Sequence, residues 1–409
     1  MAPEPIDLLM YNATSRGGHP RYVKELLSAI ALESRGEFCV SLITTSDLGN
    51  AYRGSLYQTY DILPPASGWE RPTNPAKRAF LTFMETSKRE SLFLDFVIEK
   101  RPCDAVHFQN YTPWFAPAHF RKLKSMGIRL LFTVHNVFPH SYPFAIPKPV
   151  FDRWTRSAWR ECDALFVHSE SSAADLSAHL GPNHPSIFVV PHGVWSEGSP
   201  THAAGFEERL SRRRLLFFGA IRKNKGLHVL LEAMDGLPEF SLIAAGEPAE
   251  PKYLRRIREQ MTCQAADQVT LIDRFIEEEE IPGLFAESSL VVLPYTSFYG
   301  QSGVLHLALT YGIPTVCSDI GALGETVRTW GVGRVVPPND VPSLAKAIRE
   351  LHTRQVYREV VGAIERARKG LSWKRAARVT IEAYRSVIKG IGSGGSVNPE
   401  HQSTLEQNG

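Results

Sequence analysis

Apolar runs of strand length alternate with amphipathic helical stretches along nearly the whole chain, a pattern that admits few folds other than parallel sheets covered by helices. Two such series are visible. The first has runs at Asp7–Tyr11, Cys39–Thr44, Ala105–Gln109, Arg129–His135, Ala164–His168 and Ile187–Val190. The second has runs at Arg214–Gly219, Ser241–Ala245, Gln268–Ile272, Leu290–Pro294, Thr315–Ser318 and Gly333–Val336. A chain of 409 residues also exceeds what one hydrophobic core usually serves. The expected architecture is therefore α/β, with two Rossmann-like doubly wound domains whose strand C-termini face an interdomain crevice, where a ligand is expected.

The first domain is expected over residues 1–195. Residues 196–213 lie in a stretch containing Pro, Gly and Ser and leading into the basic cluster Arg212, Arg213 and Arg214, a composition that suits a linker. The second domain is expected over 214–365. A long helical pattern begins at Gln355 and carries Trp373 and Tyr384; its final part, 366–390, is expected to cross back to the first domain. Residues 391–409 are rich in Gly, Ser, Asn and Gln and are expected to be a disordered tail.

Several function classes fall away on composition. The formal charge of +3 arises from interspersed signs, with no basic stripe, so nucleic acid is not an expected partner. Cys39, Cys103, Cys162, Cys263 and Cys317 are scattered singly, without CxxC or Cys/His metal spacing, and read as reduced core thiols. No apolar stretch approaches spanning length and no basic leader precedes the first strand, so a cytoplasmic protein is expected.

Three strand-to-helix turns carry chemistry. After the first strand, adjacent Gly17 and Gly18 allow close backbone approach to an anion or a sugar, although the spacing is not GxGxxG. At the start of the second domain, Arg222, Lys223 and Lys225 cluster beside the N-terminus of a helix beginning at Leu227, where cations hold a diphosphate and stabilise it as a leaving group. A second small-residue loop, Gln301-Ser302-Gly303-Val304, directs amides toward anions or sugar hydroxyls. His135 stands just past the end of an N-domain strand, where an imidazole can donate to a sugar hydroxyl or manage a proton. His107 ends the preceding strand in the same way.

In this order the motifs become specific. Gly17-Gly18, Asp104–His107, Thr133–Asn136, Ala164–Ser169, Val190–Val194, Phe217–Gly226, Ala244–Glu247, Val292–Pro294, Ala308–Val316 and Ser372–Tyr384 together resemble the retaining family 4, or group 1, glycosyltransferases of GT-B fold. The likeness covers nearly all of the chain except the tail. It implies a nucleoside-diphosphate sugar as co-substrate, no other cofactor and no metal; no DxD occurs in the sequence, in agreement. The resemblance further implies that Lys225 holds the diphosphate, His135 sits beside the transferred sugar, Gly18 lies against diphosphate or acceptor, and Arg274 and Phe275 face the base.

The chain departs from the family pattern at three positions. An arginine usual after the strand-end glycine is Ala220, with Arg222 two positions on as the candidate substitute, and paired glutamates eight apart fall on Phe298 and His306. Those carboxylates contact donor sugar and ribose in the family; His306 retains hydrogen-bonding capacity, whereas Phe298 does not. Two readings follow from this: a hexosyltransferase using UDP- or GDP-sugars in bacterial exopolysaccharide or lipopolysaccharide assembly, and a catalytically degenerate GT-B protein that binds without transfer. A nucleotide-sugar epimerase matches the loops less well.

For the acceptor, a glycan or polyprenol-linked molecule, Trp114, Phe115, Tyr142 and Phe144 lie in loops after crevice-facing strands and offer stacking faces. The segment Arg71–Ile98 mixes Arg78, Lys88 and Arg89 with Phe80, Leu81, Phe83, Leu92, Phe93 and Phe96, which suits peripheral contact with an anionic inner-membrane surface.

Overall fold

The computed structural model describes residues 4–15, 18–52, 56–65, 74–101, 103–139, 146–195, 206–264, 268–297 and 300–388. The tail at 391–409 and residues 196–205 of the expected linker lie outside them. In the first half, β1 (Ile6–Asn12), α1 (His19–Glu33), β2 (Phe38–Thr45), β3 (Gln58–Leu63), α2 (Pro75–Asp95), β4 (Ala105–Phe108) and α3 (Ala116–Ser125) are followed by β5 (Arg129–Thr133), α4 (Lys148–Glu161), β6 (Ala164–Val167), α5 (Glu170–Leu180) and β7 (Ser186–Val189). The second half comprises α6 (Phe206–Arg212), β8 (Arg214–Phe218), α7 (Leu227–Met234), β9 (Ser241–Ala245), α8 (Pro251–Gln264), β10 (Val269–Ile272), α9 (Ile281–Ala286) and β11 (Leu290–Leu293). It ends with α10 (Gly303–Thr310), β12 (Thr315–Ser318), α11 (Gly321–Trp330), β13 (Gly333–Val336), α12 (Val341–Leu351), α13 (Arg354–Gly370) and α14 (Trp373–Ile388).

The strands form two parallel sheets, ordered β3-β2-β1-β4-β5-β6-β7 and β10-β9-β8-β11-β12-β13. Each central strand is apolar and buried because helices cover both faces, as in β11, whose LVVL sequence is buried throughout. Each sheet reverses its order beside its first strand, between β1 and β4 and between β8 and β11, which is where such sheets open a crevice at their strand ends.

Four features differ from expectation. The edge strand β3 has no apolar run to announce it: its sequence QTYDIL is buried only at Leu63. The stretch assigned to the linker contains α6. The terminal helical pattern is two helices, interrupted at Leu371 and Ser372, where Ser372 Oγ accepts from the N–H of Arg375 and restarts the helix. Of the cysteines, Cys103, Cys162 and Cys317 are buried, but Cys39 is exposed, correcting its assignment to the core. It pairs in register with Asp7 at the open start of the sheet, before the covering helices reach it. The side chain of Cys263 lies outside the described residues. Among the described residues no helix is long and apolar enough to cross a membrane.

The last helix returns to the first half. α14 packs along α1, with Arg378 bonded to Glu33 and Arg385 to Glu37 at 2.8 and 2.6 Å. Its inner face buries Trp373 and Tyr384, each contributing about 2 kcal/mol by area. The Tyr384 hydroxyl lies 2.6 Å from His107 Nδ1, and the other ring nitrogen of His107 is 2.8 Å from Thr133 Oγ1. His107 is thereby committed to holding α14 on the sheet. Trp373 seats against Gly193, and Val194 N–H donates to the carbonyl of Leu371, so the chain leaving β7 and the break before α14 are tied together.

Candidate active site

On the second-domain side, Lys223–Lys225 form one tight turn before α7. Gly226 closes it at φ +72, and a Cβ there would lie 1.8 Å from the carbonyl oxygen of Pro294, so conformation and space both demand glycine. The two loops singled out in the sequence are consequently interlocked. Thr296 N–H donates to Asn224 O at 2.9 Å, Asn224 Nδ2 donates to Ser297 O, and Lys225 Nζ lies 3.7 Å from the centroid of the buried Tyr295 ring. Tyr295 in turn reaches Ser302 Oγ at 3.2 Å. Ser302 caps α10 by accepting from Leu305 N–H, which leaves the first-turn amides of Gly303 and Val304 without an intrahelical acceptor. Arg222 Nε is buried and has no hydrogen-bond partner. Cations and amides thus converge on one loop pair.

Arg274 and Phe275 follow β10. The guanidinium of Arg274 is engaged by Glu280 at 2.6 Å, and this pairing holds the Glu280 carboxyl at about 2. Phe275 is 59% exposed, and among the described residues no other large hydrophobic side chain of the second half is exposed.

Across the crevice the wall is made of imidazoles. His19 packs on His135 with ring centroids 4.3 Å apart, His135 on His168 at 5.2 Å, His168 on His192 at 5.8 Å, and His192 stacks on His306 at 4.0 Å. Tyr22 and Trp373 enclose the row from α1 and α14. Burial depresses every one of these imidazoles: His19 and His168 to about 4, His306 to about 3, and His135 and His192 well below the ordinary 6.5, with repulsion among the rings adding to it. The row is neutral at pH 7.

Neutrality fixes tautomers. A carbonyl can only accept, so His168 Nδ1, 3.0 Å from Val190 O, carries a proton and its Nε2 a lone pair. His135 Nδ1, 3.2 Å away, then donates to that lone pair. The carboxamide of Gln109 stands 3.0 Å from His135 Nε2 and must turn its NH2 end there when both rings are neutral. His135 is therefore oriented from both sides.

The two walls touch. Asn136 and Gly300 form an isolated antiparallel bridge, and a Cβ on Gly300 would come within 2.2 Å of Asn136 Oδ1. Gln301 Nε2 donates to the carbonyl of His168, and Trp195 N–H donates to Thr310 Oγ1. Glu325 on α11 accepts from the N–H groups of Glu170 and Ser171, capping α5 across the interface.

Of the residues named from sequence, the structure brings His135 on one wall together with the loop pair holding Arg222, Lys225, Gln301, Ser302, Gly303 and Val304 on the other. Gly18 is the exposed residue before α1, with open space where a Cβ would stand. His306, expected to offer its ring to ribose, has one face taken by His192 and lies buried, with Nδ1 unpartnered. Trp114 is half-buried 6.2 Å from Phe115, and its Nε1 has no partner. Gly17, Tyr142, Phe144 and Phe298 lie outside the described residues. Sequence reasoning missed Glu325 and Gln109, which no motif marks, and gave no role to His19, which directly follows the Gly17-Gly18 pair.

Two facing Rossmann-like sheets with binding loops at their strand ends define a GT-B fold. Residues 16–197 match Glycosyltransferase Family 4 and residues 212–354 match Glycosyl transferases group 1, and the chain belongs to this family of glycosyltransferases. Similar proteins include the glycogen synthase of Mycobacterium tuberculosis strain H37Rv, 28% identical over 56% of this chain and 56% of its own. The GDP-mannose:glycolipid 4-beta-D-mannosyltransferase of Xanthomonas campestris pv. campestris strain ATCC 33913 is 30% identical over 48% of this chain and 51% of its own. The matched stretch thus spans about half the length of these curated relatives. Among solved structures, sucrose-phosphate synthase from Thermosynechococcus elongatus superposes with a TM-score of 0.72 at 18% identity, covering 94% of this chain and all of that one. Anabaena HepE in complex with UDP-glucose superposes at 0.67 with 15% identity, covering 93% and 100%. At these identities the structural likeness concerns fold alone.

Proposed function

We propose that the protein transfers a hexosyl group from a UDP- or GDP-sugar to a hydroxyl of a glycan or lipid-linked acceptor, with retention and without a metal, in bacterial exopolysaccharide or lipopolysaccharide assembly. The observation that carries this reading is the convergence of Lys225, Arg222 and the α10 amides on one side of a contact whose other side is the oriented His135. Preorganised cations and amides bind the departing diphosphate more strongly as its charge develops, and the closed crevice limits loss of the sugar to water. Phe275 offers its exposed ring to the base, and His135 faces the transferred sugar. The bound UDP-glucose of HepE and the glycolipid acceptor in the Xanthomonas name support the donor and acceptor classes.

Peripheral membrane contact belongs to the same reading. α2 exposes Phe80, Leu81, Phe83, Met84 and Leu92 with Lys77, Arg78 and Lys88 among them, a mixed apolar and basic face suited to an anionic bilayer at the cytoplasmic side. The double variant Phe80→Asp, Phe83→Asp is expected to abolish co-sedimentation with anionic vesicles.

The test of function is a thermal-shift screen of UDP- and GDP-sugars followed by assays of hydrolysis and transfer, since a bound donor raises Tm by mass action. Stabilisation by a nucleotide sugar with turnover is expected. Stabilisation with no turnover on any glycan or lipid acceptor would favour the degenerate binding protein, a reading supported by Ala220 and by the burial of His306 against His192.

A further inference from the structure

The loop after β6 is held by both domains. Within its own domain, Val190 N–H donates to Val167 O at 2.8 Å and His168 Nδ1 donates to Val190 O, so β6 and β7 fix where the loop begins. Beyond His168 the ties come from the second domain. The His168 carbonyl accepts from Gln301 Nε2 at 3.1 Å, and the N–H groups of Glu170 and Ser171 donate to Glu325 Oε1 and Oε2, each at 3.1 Å.

A helix start leaves its first amides without intrahelical acceptors. α5 supplies one acceptor of its own, Ser169 Oγ, which takes the N–H of Ser172 at 3.1 Å. Its first two amides are satisfied instead by one carboxylate from α11 of the other domain. That pairing is charge-assisted and sits at the positive end of the helix, so it favours the arrangement in which the domains touch. Arg328, one turn along α11, engages Asp319 at 2.6 Å, which leaves the Glu325 carboxylate to the two amides.

The consequence falls on His135. Its Nδ1 donates to the lone pair of His168 Nε2 across 3.2 Å, at the long end of the hydrogen-bond range, so a small displacement of His168 ends the bond. Asn136, the next residue, bridges to Gly300, so both imidazoles are continuous in backbone with segments that the second domain holds. With the domains apart, the ties from Gln301, Gly300 and Glu325 are all absent and the β6–β7 ladder alone holds the loop. A neutral imidazole that loses its acceptor is free to take the other tautomer.

We propose that Glu325 is a positioning residue for His135: its clasp on α5 seats the second domain on the loop carrying His168 and completes the hydrogen-bond chain that orients His135 only in the closed molecule. This rests on the glycosyltransferase reading. A donor then meets an oriented imidazole once the crevice has shut over it and water is excluded.

The test uses the full chain with isotope-labelled histidine, in which NMR of the ring nitrogens reads each tautomer and His135→Ala assigns the His135 signals by their loss. Glu325→Gln keeps the size of the side chain but turns an NH2 against one of the two N–H groups, and Glu325→Lys sets a cation against both. With UDP or GDP bound, the unaltered protein is expected to show His135 as the single Nδ1–H tautomer and both variants a mixture, at nucleotide affinities within about twofold of the original. With UDP-glucose or GDP-mannose as donor, kcat is expected to fall about tenfold in Glu325→Gln and about 100-fold in Glu325→Lys, with KM for the donor unchanged. Glu325→Gln alone decides the matter if Glu325→Lys does not fold. A single His135 tautomer in a folded variant, an unaltered kcat, or a loss of nucleotide affinity equal to the loss of kcat overturns the proposal. A mixed tautomer in the variants of a protein that turns over no donor would sink the transferase reading and leave the role of Glu325 standing; donor turnover with the tautomer and kcat untouched in the variants would do the reverse.

Discussion

The two walls of the crevice are built from the same kind of sheet and do opposite electrostatic work. On the second-domain side, Lys225 lies over the Tyr295 ring, Arg222 sits in the same turn, and two loops are pinned by Gly226 against Pro294. On the first-domain side the row from His19 to His192, which His306 of α10 meets from the opposite domain, carries no charge at pH 7, because burial holds each imidazole below its ordinary range. Under the proposed function one wall holds the diphosphate, and the other places hydrogen bonds with defined tautomers. The difference teaches that binding and rate should be separable by mutation, one wall at a time.

The largest effect is expected at the charged wall. Lys225→Ala should weaken nucleoside-diphosphate binding and lower turnover by about 10²–10³-fold, the cost of removing one preorganised donor to developing charge. Calorimetric titration with UDP and GDP, alongside the transfer rate, checks both halves. Unchanged kinetics would remove Lys225 from the diphosphate site and with it the contrast between walls.

His135→Ala sharpens the contrast from the other side. A loss of about 100-fold in rate is expected with nucleotide affinity nearly preserved, as for a group that acts on the reacting sugar and not on the leaving group. Loss of affinity equal to that of Lys225→Ala would mean that the two walls do not divide the work.

A smaller effect concerns stability. The imidazoles lowered from 6.5 to about 4 or 3 bind fewer protons folded than unfolded, so their contribution is complete above pH 6.5 and is lost as the pH falls toward 4. Glu90, whose carboxyl is raised by burial among Tyr11, Thr112 and Arg89, acts in the opposite sense and tempers the slope. The Tm is expected to drop by about 5 °C or more between pH 7 and pH 5. His306→Phe, which keeps a ring against His192 and removes one titrating group, should flatten that slope; an unaltered slope would place the acid sensitivity elsewhere.

How much of this was legible in the chain depends on how local each feature is. The second-domain loops were readable because Arg222, Lys225 and the Gln301–Gly303 turn each sit within one strand-turn-helix unit. Both apolar strand series were readable for the same reason, whereas β3, a polar edge strand, carries no pattern to read. The histidine wall joins residues from α1, from the loops after β5, β6 and β7 and from α10, so His135 and His306 were each named singly and the row that connects them was not. Glu325 lies 155 residues from the helix it caps. Trp373 shows its role only once the chain after β7 lies beneath it.

The smallest effects are expected at the rim of the charged wall, where two neighbours separate stacking from charge. Phe275→Ala removes an exposed aromatic face and should weaken nucleotide binding about tenfold, the scale of one base stacked on a ring. Arg274→Ala should change affinity less than about threefold, because its guanidinium is already engaged by Glu280 and both partners are exposed, so water and salt screen what the pair contributes. Titrations with UDP and GDP at 50 and at about 500 mM salt distinguish the two side chains, since stacking resists screening and an ion pair does not. If Arg274→Ala costs more than Phe275→Ala, and costs more at low salt, then Glu280 is displaced on binding and the rim reads charge as well as shape, extending the cationic wall outward from Lys225.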